Sequence, residues 1–117
     1  GPAILWVCVE QAMNQEADAL LESLLDSLLN DFNHWFKRGQ ELLAACPDSV
    51  MTPDERDVMR VRLDEGLKAI AATRALVNAT PEAMAVSMEA MTPWHQLVIE
   101  VWGLAGRISK ANAKNSI

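Results

Sequence analysis

The sequence predicts an all-α protein, an antiparallel bundle of three long helices and one short helix. Apolar residues recur at the three- and four-residue spacing of an α-helix over residues 20–36, and Thr-Pro dipeptides mark three later helix starts. At 117 residues the chain can fold around one hydrophobic core without a metal or a disulfide. We therefore expect a single helical domain.

The first helix is predicted over residues 14–45, ending just before Pro47 because the residue preceding a proline is pushed out of the α region. Its apolar face covers roughly half of the helix circumference. One helix with so wide a face must pack against at least two others. The face consists of Leu20, Leu21, Leu24, Leu25, Leu28, Leu29, Phe32, Trp35 and Phe36.

The first twelve residues are predicted to be foreign to the domain. Gly1 and Pro2 match the scar that a cleaved expression tag leaves, and Met13 would make a natural start. The chain therefore divides into a tag remnant or non-native extension at residues 1–12, a helical-bundle domain at residues 13–112 and a frayed tail at residues 113–117.

Residues 3–9 are apolar, but the run is too short to span a membrane and lacks the basic lead-in of a signal peptide. If this run extends the first helix backward, that helix exceeds roughly 40 residues, or about 60 Å. A rod of that length favours an oligomer over a compact monomer.

The sequence TPDE at residues 52–55 predicts a capping box at the start of the second helix. The threonine side chain caps the helix, proline suits the first helical position and glutamate reaches back to the capping residue. This helix is predicted over residues 53–78. Its apolar stripe includes Arg74, which we expect to lie near Glu22 or Asp26 in an antiparallel pairing with the first helix.

Thr-Pro recurs at residues 80–81 and 92–93, so a short helix is predicted over residues 81–91. Methionine at helical spacing in such a helix forms either core packing or a pliable docking groove. The row consists of Met84, Met88 and Met91.

The last helix is predicted over residues 93–111. Gly103 and Gly106 lie inside it, although glycine costs a helix about 1 kcal/mol relative to alanine. We therefore expect another backbone to approach the helix closely at these two glycines.

Composition excludes several classes of function. A net charge of −6 disfavours nucleic acid and anionic membranes as partners, because both require clustered Lys and Arg. Cys8 and Cys46 lack the spacing of a metal or redox motif, which favours a reduced, cytoplasmic protein.

The sequence shows no catalytic, metal or cofactor signature. No ordered Ser/His/acid or Cys/His set and no Gly-rich phosphate loop is present, so we expect no enzyme and no cofactor. Asp31 and His34 form half of a carboxylate-bridged di-metal motif, but the second half is missing. The other histidine, His95, is expected to lie several helical turns from His34, which predicts no metal site.

The residues most suited to binding a partner flank the apolar face of the first helix and continue in the last helix. Polar residues lie beside Trp35 on the first helix and form either a solvated helix flank or the rim of an interface. The second interpretation is possible because interfaces place aromatic anchors inside a polar border. Phe32 and Phe36 are further candidate anchors. The predicted interaction surface comprises Asp31, His34, Trp35, Arg38, Trp94, His95 and Trp102.

Two stretches, CPDSVMTPDERDVM at residues 46–59 and TPEAMAVSMEAMTPWHQLVIEVW at residues 80–102, resemble a family of small cyanobacterial proteins known as a domain of unknown function. The resemblance covers residues 17–109 and leaves out residues 1–12. It implies a cyanobacterial, intracellular protein and transfers no catalytic residue.

We therefore expect a non-enzymatic module for protein–protein interaction or regulation. The alternative is a helical bundle that binds a small molecule, a pigment or a lipid, between the last helix and the methionine row. The broad apolar face of the first helix is buried either by two other helices of the same chain or by a second copy related by a twofold axis. The sequence therefore leaves monomer and homodimer open.

Overall fold

The computed structural model describes residues 2–79 and 89–115, which form three helices. These are α1 (Pro2–Ala44), α2 (Pro53–Ala79) and α3 (Thr92–Asn115). The described residues contain no strand, so the all-α prediction is confirmed. Most of the predicted short helix, with Met84 and Met88, lies outside the described residues. None of the described helices has the length and apolar character needed to cross a bilayer.

Helix α1 is 43 residues long and begins at Pro2, so the predicted start at residue 14 is wrong. No helix breaker separates residues 3–9 from the leucine-rich segment, and proline is tolerated in the first turn because its missing N–H has no intrahelical partner there. At 1.5 Å per residue α1 is about 65 Å long. It therefore accounts for most of the 78 Å long axis of the molecule.

The core contains the apolar face of α1 only from Leu25 onward. Leu25, Leu29, Phe32 and Phe36 are buried, whereas Leu20 is 72% exposed. Leu21 and Leu24 are also exposed, so one chain does not cover the first part of the predicted leucine face. The physical reason is the side of the helix: the last turns of α2, at Arg74, Val77 and Asn78, lie beside Glu22, Asp26 and Leu29, whereas Leu20 and Leu24 project from the other side of α1.

Both α2 and α3 pack on α1. Along α2, Gly66 lies beside Phe36 of α1, and Arg74 further on is hydrogen-bonded to Asp26. The sequence predicts that Arg74 lies near Glu22 or Asp26, and it pairs with Asp26, although the pair is partly exposed rather than buried. The other guanidinium nitrogen of Arg74 donates to Asn30 Oδ1 at 2.8 Å. Residues further along α2 therefore contact residues nearer the N-terminus of α1.

Two glycines mark the places where the helices approach most closely. A Cβ on Gly66 would lie 2.6 Å from Phe36 Cε2, and one on Gly39 would lie 2.9 Å from Val101 Cγ2. The close approach predicted at Gly103 and Gly106 is wrong, because a Cβ on either would meet no atom within 4 Å. Both residues lie on the exposed side of α3.

The loop between α1 and α2 is held by side-chain hydrogen bonds. Glu55 N donates to Thr52 Oγ1 at 3.2 Å, and Thr52 N donates to Glu55 Oε1 at 3.0 Å. The hydrogen bond from the Thr52 backbone lowers the pKa of the Glu55 carboxyl below its usual value. Arg56 closes the loop by donating to Cys46 O at 2.9 Å and to Asp48 Oδ1 at 2.5 Å.

Helix α3 starts at Thr92, as the Thr-Pro pattern predicts, and continues to Asn115. It is therefore four residues longer than predicted at its C-terminal end. Alanine and lysine in this stretch favour helix, and no glycine or proline follows Gly106 to end it.

Candidate interaction surface

Two tryptophans from different helices meet at the surface. Trp35 of α1 and Trp102 of α3 pack edge to face, with ring centroids 5.6 Å apart and an interplanar angle of 84°. Trp102 is 51% exposed, and Trp35 is half-buried beside it. Such a pair gains from the attraction between ring edge and ring face while leaving aromatic surface open to a partner.

The two tryptophans border a shallow cavity of about 160 Å³, which we call the aromatic groove. Helical spacing places its residues on facing sides of the two helices, since positions three and four apart share a helix face. The groove is lined by Leu28, Asp31, Phe32, Trp35, His95, Val98 and Trp102.

The floor of the groove is rigid because Phe32 is buried beneath it. Its ring lies 4.9 Å from that of His95 and 5.5 Å from that of Trp94, both at steep angles. Met91, immediately before α3, is also buried. These contacts fix the start of α3 against Phe32, about three turns before the C-terminal end of α1.

This register corrects the predicted position of His95. We expected His95 several turns from His34, but it contacts Phe32, only two residues before His34 in α1. The prediction from connection lengths is wrong because α3 begins beside Phe32, about three turns before the C-terminal end of α1 and close to His34 along that helix. Within the part of the chain that the structure describes, no three His, Cys, Asp or Glu side chains cluster closely enough to hold a metal ion.

The structure brings four of the seven predicted surface residues, namely Asp31, Trp35, His95 and Trp102, into the aromatic groove. His34 packs edge to face against Trp35, with centroids 5.1 Å apart, and so extends the aromatic surface. Trp94 supports the groove from the side of Phe32. Arg38 is separate from the groove, because its guanidinium donates to Glu41 Oε2 at 2.9 Å.

An ion pair missed by the sequence ties α3 to α2. Arg62 donates to both carboxylate oxygens of Glu100, at 2.9 and 2.5 Å. This pairing raises the pKa of Arg62 and lowers that of Glu100, because the hydrogen bonds between the two side chains, and to a smaller extent their opposite charges, stabilise the ionised forms. Because residues two apart in a helix lie about 200° apart, this ion pair holds the side of α3 opposite Trp102.

The relationship of this chain to other proteins rests on a family model that matches residues 15–110, described as "Protein of unknown function (DUF2605)". The chain belongs to the DUF2605 family. The resemblance noted in the sequence is thereby confirmed. The whole aromatic groove falls within the DUF2605 range, whereas the first turns of α1 precede it. No curated protein and no solved structure matches the chain.

Proposed function

We propose that the chain is a non-enzymatic module that binds a protein partner through the aromatic groove. The observation that carries the proposal is the exposed Trp102 packed against Trp35, with Asp31 and His95 at the border. Tryptophan is enriched among the residues that dominate interface energetics, and such anchors sit inside a polar rim. We take the module to be an antiparallel helical bundle from a cyanobacterial cytoplasm, in keeping with the sequence resemblance.

The chemistry of the groove supports recognition rather than catalysis. Its described lining combines one carboxylate, one imidazole and five apolar or aromatic residues, and contains no serine, cysteine or lysine nucleophile. A partner side chain that packs against the exposed surfaces of the two tryptophans would be desolvated by both rings. Asp31 and His95 would then orient polar groups at its edge.

The size of the groove favours a protein partner over a pigment or lipid. Its volume of about 160 Å³ is below the roughly 300–1,000 Å³ of sites that enclose a small ligand. The alternative function would use the space between α3 and the methionine row, and two of those three methionines lie outside the described residues. Native mass spectrometry of protein from its own host distinguishes the two functions, because a co-purifying ligand supports the alternative.

The proposal is tested by a pull-down from a native extract. We compare the wild-type chain with Trp102→Ala, Trp35→Ala and Val61→Ala; Val61 is 55% exposed on α2 and lies outside the groove. We expect a protein retained by wild type and Val61→Ala to be reduced at least about tenfold with Trp102→Ala, as for a typical anchor residue. Identical protein lists for wild type and both tryptophan variants would contradict the proposal. Light scattering of the same samples determines whether the chain forms a homodimer.

A further inference from the structure

An exposed apolar line on α1 leads directly into the aromatic groove. Leu20, Leu24, Leu28 and Trp35 are four, four and seven residues apart, so they share one face of the helix. Leu20 and Leu24 are 72% and 50% exposed, whereas Leu28 and Trp35 are partly covered at the groove. We call these four residues the α1 stripe. It is about 22 Å long at 1.5 Å per residue and lies wholly within the range matched by the family.

Two carboxylates, Glu16 and Asp31, lie on the same side of α1 as the α1 stripe, while Asp18, Glu22 and Asp26 lie on other sides of the helix. The first basic residue on the side of the stripe is Arg38, one turn beyond Trp35, and its guanidinium is paired with Glu41. Residues 15–36 contain five carboxylates and no Lys or Arg. Among the described residues, only one of the five, Asp26, forms an ion pair, with Arg74 of α2. The remaining carboxylates of this segment are all exposed: Glu16, Asp18, Glu22 and Asp31.

We propose that the α1 stripe docks a cationic amphipathic helix of the partner protein. This inference rests on the proposed function and specifies the chemistry of the partner. Anchors at four- and seven-residue spacing suit a helix laid along an apolar line, with its leucine-like side chains covering Leu20 and Leu24. Lys or Arg at the edges of that helix would pair with Glu16 and Asp31. These charge pairs would fix the orientation of the bound helix and increase its association rate.

Charge argues against a second copy of the chain on this stripe. A second α1 helix offers no Lys or Arg between residues 15 and 36, so two copies packed through Leu20 and Leu24 would form no ion pair with Glu16 or Asp31 there. In a parallel arrangement the same carboxylates would face each other, and like charges across an interface are unfavourable. The basic end of α3 is a poor alternative. Its cavity is lined by Arg107, Lys110 and Lys114 with the small or half-buried Ser49, Val50 and Ala111, and offers no large exposed apolar side chain.

The test uses two dye-labelled helical peptides with identical leucines, one with lysine and the other with glutamate at every polar position. Fluorescence anisotropy measures the binding of each to the full chain. We expect the lysine peptide to bind at least about tenfold more tightly than the glutamate peptide. We also expect its affinity to fall several-fold between about 0.05 and 0.3 M salt, because screening weakens exposed charge pairs.

Matched variants locate the binding surface. Leu24→Ala should weaken the lysine peptide at least about fivefold, whereas Val61→Ala, an equally exposed position on α2, should leave it unchanged. Glu16→Lys should reduce the preference for the lysine peptide, and Glu65→Lys, an exposed acid on α2, should not. Equal binding of the two peptides, binding of neither, or a homodimer that Leu24→Ala disrupts would overturn the inference.

The pull-down separates this inference from the proposed function. A partner whose capture requires Trp102 but is unaffected by Leu24→Ala and Glu16→Lys would support the function of the groove and overturn the role of the stripe. If binding of the lysine peptide does not depend on Leu24, the inference about the α1 stripe fails. The effect of Trp102→Ala in the pull-down still tests the proposed function separately.

Discussion

Gly66 of α2 lies directly against the ring of Phe36 of α1. A Cβ on Gly66 would lie 2.6 Å from Phe36 Cε2 and 2.9 Å from Phe36 Cδ2, distances that require a neighbour to move. Phe36 is fully buried, so its ring has little room to do so. The crossing of α1 and α2 therefore depends on a residue without a side chain at this position.

Gly66→Ala should destabilise the fold by about 1–3 kcal/mol, because overpacking against the ring outweighs the better helix propensity of alanine. Gly103→Ala is the matched control: a Cβ there meets no atom within 4 Å. It should stabilise the fold by about 0.5–1 kcal/mol. Urea unfolding followed by circular dichroism measures both, and stabilisation by Gly66→Ala would contradict the close contact.

Truncating leucines of α1 should reveal where the core begins. Leu29→Ala removes a buried side chain and should cost about 2–5 kcal/mol of unfolding free energy. Leu20→Ala removes an exposed one and should change stability by no more than about 0.5 kcal/mol. Similar losses for both variants at low protein concentration would show that Leu20 is covered within one chain.

The ion pair of Arg62 and Glu100 predicts a pH dependence of stability. The folded-state pKa of Glu100 lies below its ordinary value of 4.5, so the pair stabilises the fold above that pH and the stabilisation is lost as the pH falls through the lowered pKa. Glu100→Gln should reduce the unfolding free energy at neutral pH by up to about 1 kcal/mol, since the pair is about half exposed. The difference from wild type should shrink below pH 4.5. A difference that stays constant down to strongly acidic pH would assign the loss to packing instead.

Thr52→Ala should remove the cap of α2 and destabilise the fold by about 1 kcal/mol. The same change should raise the pKa of Glu55 only part of the way toward its ordinary value, because the backbone N–H of residue 52, the larger cause of the lowering, is retained and only the side-chain hydrogen bond is lost. Thr52→Ser keeps the hydroxyl and serves as the control. NMR titration of the Glu55 carboxyl measures the shift, and an unchanged pKa in Thr52→Ala would show that the Thr52 side chain does not position that carboxyl.

Local patterns were sufficient to predict the helices and two of their starts, because Thr-Pro signals at residues 52–53 and 92–93 act within one turn. The length of the loop at residues 47–52 placed Arg74 near Glu22 or Asp26, and the structure selects Asp26. The predicted start of α1 is too late because Gly1, Pro2 and Met13 suggested that the first twelve residues are foreign to the domain. The absence of a helix breaker in residues 3–13 is the sequence signal that favours the longer helix.

Features that depend on how the helices cross could not be predicted. Gly39 and Gly66 pack against other helices while Gly103 faces open space, a distinction set by the rotation of each helix about its axis. Arg62 and Glu100 are 38 residues apart and meet only because α2 and α3 share α1 as a neighbour. The aromatic groove likewise depends on where α3 begins along α1.

Because α1 extends beyond the core, the exchange rates of its amide protons should differ along its length. Every described side chain from residue 3 to residue 24 is exposed, so these turns can open without disturbing the core. In hydrogen–deuterium exchange they should label by local fraying, whereas the turns around Phe36 should label only when the whole bundle unfolds. A partner helix bound along the α1 stripe would slow labelling as far toward the N-terminus as Leu20. The slowed amides would thus map the bound segment residue by residue.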